Sequence, residues 1–373
     1  MQITFVSNYI NHHQTPVSDE LYKLTGGSYT FIQTEPMEQE RINMGWDTSA
    51  AKRPYVKLYY EDRATCDELI MKSDCVIFGG CEDESIIMPR LEAGLFTIRY
   101  SERIYREGRW RFISPKGLIK KYHDHVRFRK SPVYLLCSGA YVKGDFDLIR
   151  AYPGKKLKYG YFTEFKEYGD VHEARNNKTP EILWVARFIP LKHPELIVEL
   201  ARSLRDTGRD FHITMVGDGE ILGDVRKMAE RLGVSDRISF EGSKKPEEVR
   251  EYMRRADIFI ASSDYREGWG AVVTEAMNSG CLTIAPRDMG VTPYLIQDGV
   301  NGFSYKACNL KQLKNKVEAG MADRENARNM GTNAYNTIKD LWNPHVAALR
   351  ICEFASDPAH DMNKYQEGPL SRA

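Results

Sequence analysis

No apolar run in this 373-residue chain approaches the roughly 20 residues that a membrane-spanning helix needs. A helical membrane span is excluded, while attachment to a membrane surface stays open. No CxxC pair and no Cys/His cluster has zinc-ligand spacing, which excludes a structural zinc site. The seven cysteines (Cys66, Cys75, Cys81, Cys137, Cys281, Cys308 and Cys352) are scattered and odd in number, and several lie in strand-like apolar runs. They suit buried thiols in a reducing compartment, not a disulfide framework. The net charge is only +1, so nothing pulls the chain as a whole toward nucleic acid. No repeat with a period of roughly 20–50 residues is present. The opening MQITFVSNYI has no basic leader and reads as a first strand, so a cytoplasmic protein is expected.

What is present is alternation. The chain is 42% apolar and 28% charged, the composition of a globular protein long enough for two domains. In the N-terminal half the runs at 3–6, 29–32, 56–60, 75–78, 96–98 and 133–137 read as strands, with helical spacing at 16–24, 65–72, 84–93 and up to 149. A polar stretch at 166–180 reads as an interdomain linker. Strand-like runs then resume at 181–186, 211–216, 238–240, 258–261, 282–285 and 302–305, again with helices between. The expected fold class is α/β: two doubly wound Rossmann-like domains facing across a cleft, 1–170 and 171–335. Residues 336–373 would add a crossover helix, kinked at Trp342-Asn-Pro344 and returning to the N-terminal domain, and a loosely ordered polar tail.

In such sheets ligands sit beyond the carboxyl ends of the strands. Asn8, His12, His13, Glu102 and Ser138 all fall in loops at such ends in the N-terminal half and are the acceptor-side candidates. His13 or His12 would take a proton from an acceptor hydroxyl or bind a phosphate, or be an ordinary solvated loop histidine. Glu102 would contact an acceptor or pair with Arg103 or Arg106. Residues 99–131 hold eleven Lys or Arg against three acids, an excess of eight, interleaved with Trp110, Phe112, Ile113, Leu118, Ile119 and Tyr122. This suits an anionic membrane surface or a lipid diphosphate, or else a solvated face. Nucleic acid is the weaker rival, since no recognition motif accompanies the patch.

In the C-terminal half, Glu267-Gly-Trp-Gly270 follows a strand and opens a helix that carries Glu275 eight residues on. Gly268 and Gly270 leave backbone N–H groups open at a helix start, which favours an anion such as a phosphate. The plainer reading is a strand-turn-helix unit whose glycines only serve the turn. Arg187 and Lys192, across a turn containing Pro190, can converge on one anion, a planar fork beside a point charge.

Together these pieces resemble the nucleotide-binding domain of the retaining family 4 glycosyltransferases of the GT-B fold. The matching segments are Ala186–Lys192, Val216-Gly-Asp-Gly219, Arg237–Gly242, Ala256–Ile260 and Glu267–Gly280, in family order. The resemblance implies that Arg187 and Lys192 bind a donor diphosphate and that Glu275 holds ribose hydroxyls. Glu267 would face the donor sugar, and the amides after it, in Gly268, Trp269, Gly270 and Ala271, would contact sugar and phosphate. Gly217 would join the donor site, and the Glu241–Ser243 backbone, with Gly242, would lie near the base. Glu267, Arg187 and Lys192, with His13 from the other half, are the catalytic candidates. The implied reaction moves a sugar from a nucleoside diphosphate to a hydroxyl of a glycan or lipid-linked acceptor, with retained configuration and no metal or other cofactor. Ala186 and His193 stand where the family commonly has Gly, and Trp269 where it has Phe. A non-catalytic partner subunit and a nucleotide-sugar epimerase are the alternatives on the same fold.

Overall fold

The computed structural model describes residues 1–39, 42, 48–81, 83–357 and 363–373. The chain forms two compact units. One is Met1–Glu164 together with Trp342–Ala373; the other is Phe165–Leu341. The boundaries read from the sequence, after 170 and after 335, each lie six residues away from these.

The first unit carries strands β1 (Ile3–Ser7), β2 (Tyr29–Gln33), β3 (Val56–Leu58), β4 (Cys75–Gly79), β5 (Thr97–Ser101), β6 (Val133–Ser138) and β7 (Lys156–Tyr159). They pair in the order β3-β2-β1-β4-β5-β6-β7, all parallel. The second unit carries β8 (Glu181–Val185), β9 (His212–Val216), β10 (Ile238–Gly242), β11 (Ile258–Ile260), β12 (Leu282–Pro286) and β13 (Phe303–Tyr305). Their order is β10-β9-β8-β11-β12-β13, again parallel throughout. Parallel strands require crossover connections, and the helices that supply them cover both faces. Hence β1, β2, β4, β6 and β12 are buried at every position, as their unbroken apolar runs imply.

Both sheets share one feature that places ligands. The first strand lies inside the sheet, and the fourth strand pairs with its other edge. The chain therefore winds outward in two directions from the β1/β4 and β8/β11 neighbours. A crevice opens beyond the carboxyl ends of such a switch point. In the second unit the loops at that crevice are 186–193 and 261–270.

The polar segment 166–180 is not a linker; it is built into the second unit. Lys166 N donates to Asn278 Oδ1 (2.9 Å), and Asn278 Nδ2 returns a bond to Lys166 O (2.8 Å). Arg175 is 2% exposed. Its guanidinium donates to Ala256 O (2.7 Å), Gly280 O (2.6 Å), Ser279 O (2.5 Å) and Met253 O (3.3 Å). These carbonyls end the helices Pro246–Arg255 and Ala271–Asn278. A cation there satisfies orphan carbonyls and complements both helix dipoles. Polarity suggested solvent; the structure uses it as a shared helix cap.

The expected kinked helix is two helices, Arg324–Asp340 in the second unit and Pro344–Ser356 in the first. Asn343 Oδ1 accepts from Val346 N (2.9 Å), and Pro344 opens the second helix, so the break is a capped start. The tail is ordered where it is described; 358–362 lie outside the described residues. Leu370 N donates to Lys158 O (2.8 Å), Lys158 N to Ser371 O (2.8 Å) and Ala373 N to Lys156 O (3.1 Å). The tail thereby pairs antiparallel with β7, the outermost strand, and covers an otherwise open edge. Strand β7 itself was not legible: its Lys156 hides an ammonium that donates to Tyr152 O (3.0 Å) and pairs with Asp147 (3.0 Å).

Candidate active site

The loop after β8 is held from below by the loop after β9. Ala186 N donates to Val216 O (3.1 Å) and Phe188 N to Asp218 O (2.9 Å). Gly217 (φ 138) and Gly219 (φ 156) lie so close to this loop that a Cβ at 217 would run into the Ala186 carbonyl, and one at 219 into the Phe188 backbone. Gly217 thus serves the shape of the Arg187 loop. Gly217→Ala is expected to cost at least about 2 kcal/mol through strain and collision. Urea unfolding checks this; a variant as stable as the parent would show that residues 186–188 can yield.

Phe188 is fully buried while Arg187, beside it, is exposed and makes no ion pair among the described residues. Pro190–Lys192 forms a single 3₁₀ turn, and His193 takes the left-handed conformation (φ 46, ψ 52) before Pro194 opens a helix. That backbone is why a glycine suits this position. Here the strain is met by two carboxylates: His193 Nδ1 bonds Glu195 Oε1 (2.7 Å) and Nε2 bonds Asp264 Oδ2 (3.1 Å). The bond to Glu195 raises the His193 pKa above 6.5; burial opposes it and Asp264 adds to it.

Besides the His193–Asp264 bond, the loop after β11 closes on the loop after β8 at three further points. Trp184 Nε1 donates to Ser262 Oγ (2.8 Å), which donates to Lys192 O (2.5 Å). Asp264 N donates to Leu191 O (3.2 Å). Lys192 Nζ and Glu267 Oε2 form a close ion pair, with side chains 15% and 16% exposed. Asp264 also receives Arg266 (Nη2 to Oδ2, 2.6 Å), so the turn before Glu267 is braced on both sides. Gly270 (φ 94) starts the helix Ala271–Asn278, and a Cβ there would strike Met289. The N–H groups of Gly268, Gly270 and Ala271 donate to no partner among the described residues. They are the free donors expected at a helix start. The Trp269 indole is buried and donates to Thr274 Oγ1 (3.4 Å), so a contact from this residue would come from its amide, as expected.

Glu275 sits in the second turn of that helix, its side chain 21% exposed and 3.9 Å from Arg250 Nη2. Burial raises its pKa and the Arg250 charge opposes this. Arg250 also donates to Glu275 O (3.2 Å) and Asn278 Oδ1 (3.1 Å). Glu241, the next-to-last residue of β10, accepts from Tyr252 OH (2.9 Å), and Gly242 (φ 70) ends the strand. Sequence reasoning missed Arg250, Ser262 and Asp264 as site residues. Asp264 stood inside the motif; nothing marked Arg250.

In the first unit two tyrosines join the acceptor-side candidates. His13 stacks on Tyr161 (centroids 5.4 Å, 8°) and lies against His12 (3.8 Å). Tyr161 OH donates to Glu102, which pairs with Arg106 (3.6 Å). Tyr100 packs edge-on to Tyr161 and donates to Ser138 Oγ (3.4 Å). Asn8 lies beside this cluster at Ser7, whose Oγ receives Gln14 Nε2 (3.1 Å). A small cavity lined by Phe5, His13, Gln14, Tyr100 and Tyr161 opens here. Burial, and then His12, push the His13 pKa well below 6.5, so its imidazole is neutral near pH 7.

Two Rossmann-like units, each with a switch-point crevice, define the GT-B fold. Residues 169–337 match the family model Glycosyl transferases group 1. The chain is 32% identical over 186 residues to the D-inositol 3-phosphate glycosyltransferase of Nocardia farcinica, covering 46% of this chain and 41% of that one. It is 25% identical over 186 residues to the GDP-mannose-dependent alpha-(1-6)-phosphatidylinositol monomannoside mannosyltransferase of Mycobacterium tuberculosis, covering 48% of each. The chain therefore spans less than half the length of these curated relatives. Among solved structures, Anabaena Alr3699/HepE in complex with UDP aligns with TM-score 0.73 over 95% of this chain and 100% of that one, at 13% identity. The lipopolysaccharide outer core galactosyltransferase WaaB aligns with TM-score 0.69 over 95% and 99%, at 16% identity. At these identities the structural likeness speaks for the fold alone.

Proposed function

We propose that the protein is a retaining glycosyltransferase that moves a sugar from a nucleoside diphosphate to a hydroxyl of a glycan or lipid-linked acceptor. The observation that carries this is the closure of the 186–193 loop on the 261–270 loop. It sets Lys192, Glu267 and three unpartnered amide N–H groups around one crevice, beside an exposed Arg187. In the reaction the bond from the anomeric carbon to the diphosphate oxygen breaks, and the acceptor oxygen forms the new bond as it loses its proton. Lys192, Arg187 and the helix start would stabilise charge on the leaving diphosphate, so no resident metal is needed. Glu275 would accept from ribose hydroxyls and Glu267 would face the sugar. On the acceptor side, His13 as a neutral imidazole could receive the proton, with Glu102 and Tyr161 orienting the hydroxyl. The curated relatives, named for inositol phosphate and phosphatidylinositol mannoside, support an alcohol acceptor. The cysteines are all free thiols, in keeping with a cytoplasmic setting.

A thermal-shift screen of nucleotide sugars identifies the donor, since a specific ligand raises the melting temperature by mass action. NMR of the product then reads the anomeric configuration, and an inverted product would overturn the retaining assignment. Turnover should survive EDTA.

Glu275 supplies a pH test. It binds hydroxyls as a carboxylate, and its pKa is raised by burial. Nucleotide affinity should therefore fall on acidification from a pH above the ordinary Glu value of 4.5, and Arg250→Gln should move that onset further up. Calorimetric titration with the tightest of UDP, GDP and ADP checks this; an unmoved onset in Arg250→Gln would remove Arg250 from the role.

A further inference from the structure

The basic segment of the first unit has two sides, which only the structure separates. Its inner side is anchored. Arg99 is spent on Glu84 (2.6 Å) and Asp124 O (3.1 Å), and Arg103 on the buried Asp145 (3.1 Å). Phe112 meets Tyr105 edge-on (6.3 Å), and Phe128 is buried in the core. The charges at 99 and 103 therefore do not belong to any exposed patch.

The outer side is apolar and cationic at once. Ile113 (74%), Trp110 (68%), Ile119 (61%) and Tyr122 (54%) are the four most exposed large apolar side chains among the described residues, and all fall within 110–122. The helix Pro115–Lys121 has no buried residue, so the unit's own core does not explain its apolar positions. Lys116, Lys121, Arg129 and Lys130 around it form no ion pair among the described residues, whereas Lys120 and Arg127 are paired with Asp124 and Glu92. Clustered exposed apolar groups mark a surface that something covers. Trp and Tyr favour the headgroup level of a bilayer, and Lys is drawn to anionic lipid. A nucleic acid could take the cations and rings but offers nothing to Ile113 and Ile119.

We propose that residues 110–122 seat the first unit on a bilayer containing anionic phospholipid. Trp110, Ile113, Ile119 and Tyr122 enter the boundary between headgroups and acyl chains, and Lys116, Lys121, Arg129 and Lys130 lie at the phosphates. Among the described residues no helix is long and apolar enough to cross a membrane. The inference stands on the first unit alone and is independent of the donor site. It also gives a reason for a lipid-linked acceptor.

The test is flotation of the full chain with phosphatidylcholine vesicles, with and without phosphatidylglycerol, at low and high salt. The parent should float with the anionic vesicles and lose binding as salt rises. K116Q/K121Q should weaken binding by roughly fivefold per lysine. W110S/I113S/I119S should weaken it by about tenfold or more while keeping the parent's melting temperature, since all three side chains are exposed. Thermal shift by nucleotide should be unchanged in both variants, which separates failure here from failure of the donor site. A parent that stays unfloated at low salt overturns the proposal. So does a triple variant that floats like the parent, or a parent that binds short RNA or self-associates through these residues in place of vesicles.

Discussion

Lys192→Ala should lower kcat/KM by about 10²–10³, or roughly 2.7–4 kcal/mol of transition-state stabilisation. Two losses combine. In the proposed reaction the leaving diphosphate loses a cation, and Glu267, whose side chain is only 16% exposed, loses the ammonium it pairs with. An unpaired carboxylate at that spot repels the charge developing beside it. The second loss can be isolated. In Lys192→Ala/Glu267→Ala stability should recover relative to Lys192→Ala alone, because breaking one side of a largely buried pair costs more than removing both. Activity should not recover, since Glu267 is assigned to the donor sugar. Initial rates with the donor found by thermal shift, together with urea unfolding of all three variants, read both effects. Unchanged turnover in Lys192→Ala and in Glu267→Ala would sink the donor-site assignment.

Arg175→Met is expected to destabilise the second unit by about 3–5 kcal/mol, which for a unit of this size lowers its melting temperature by roughly 10 °C. Methionine fills much of the volume but leaves the Met253, Ala256, Ser279 and Gly280 carbonyls without their donor. Lysine should rescue little, because one ammonium cannot reproduce the spread of a guanidinium across four acceptors. Calorimetry checks this, and a loss below about 1 kcal/mol would mean that water replaces the cap. Arg175 holds the carboxyl end of the helix whose amino end is the proposed anion cradle. Its loss should therefore weaken nucleotide binding although it is remote from any ligand.

Much of the site was legible because its signals are local. Gly270 takes a positive φ that glycine adopts without steric cost, and the eight-residue step from Glu267 to Glu275 follows from a turn leading into a helix. His193 was legible as an oddity, since it stands where a left-handed backbone favours glycine. Its bond to Asp264 was not, since that residue lies 71 positions away. In the first unit the candidates were spread over separate loops, with Asn8, His12 and His13 on the first. The tyrosines that join them, Tyr100 and Tyr161, look in sequence like ordinary strand and loop aromatics.

The errors have one cause. Polarity was taken to mean exposure for 166–180 and for the tail, yet both are packed, because arginine and backbone amides can spend their polarity on carbonyls. The +8 excess in 99–131 was counted by charge, whereas Arg99 and Arg103 are neutralised inside the unit.

The sequence by itself determined what neighbouring residues dictate: the strand and helix alternation, the order of the loop motifs, and the glycines at turns that demand them. The tertiary structure decided every contact made across the sheets. Lys192 meets Glu267 across 75 residues, Arg250 reaches the Glu275 carbonyl across 25, and Arg175 caps helix ends 78 to 105 residues away. The physical reason is that helix and strand preferences depend on near neighbours. Which loops share a crevice depends on strand order, and strand order is set only when the whole core packs.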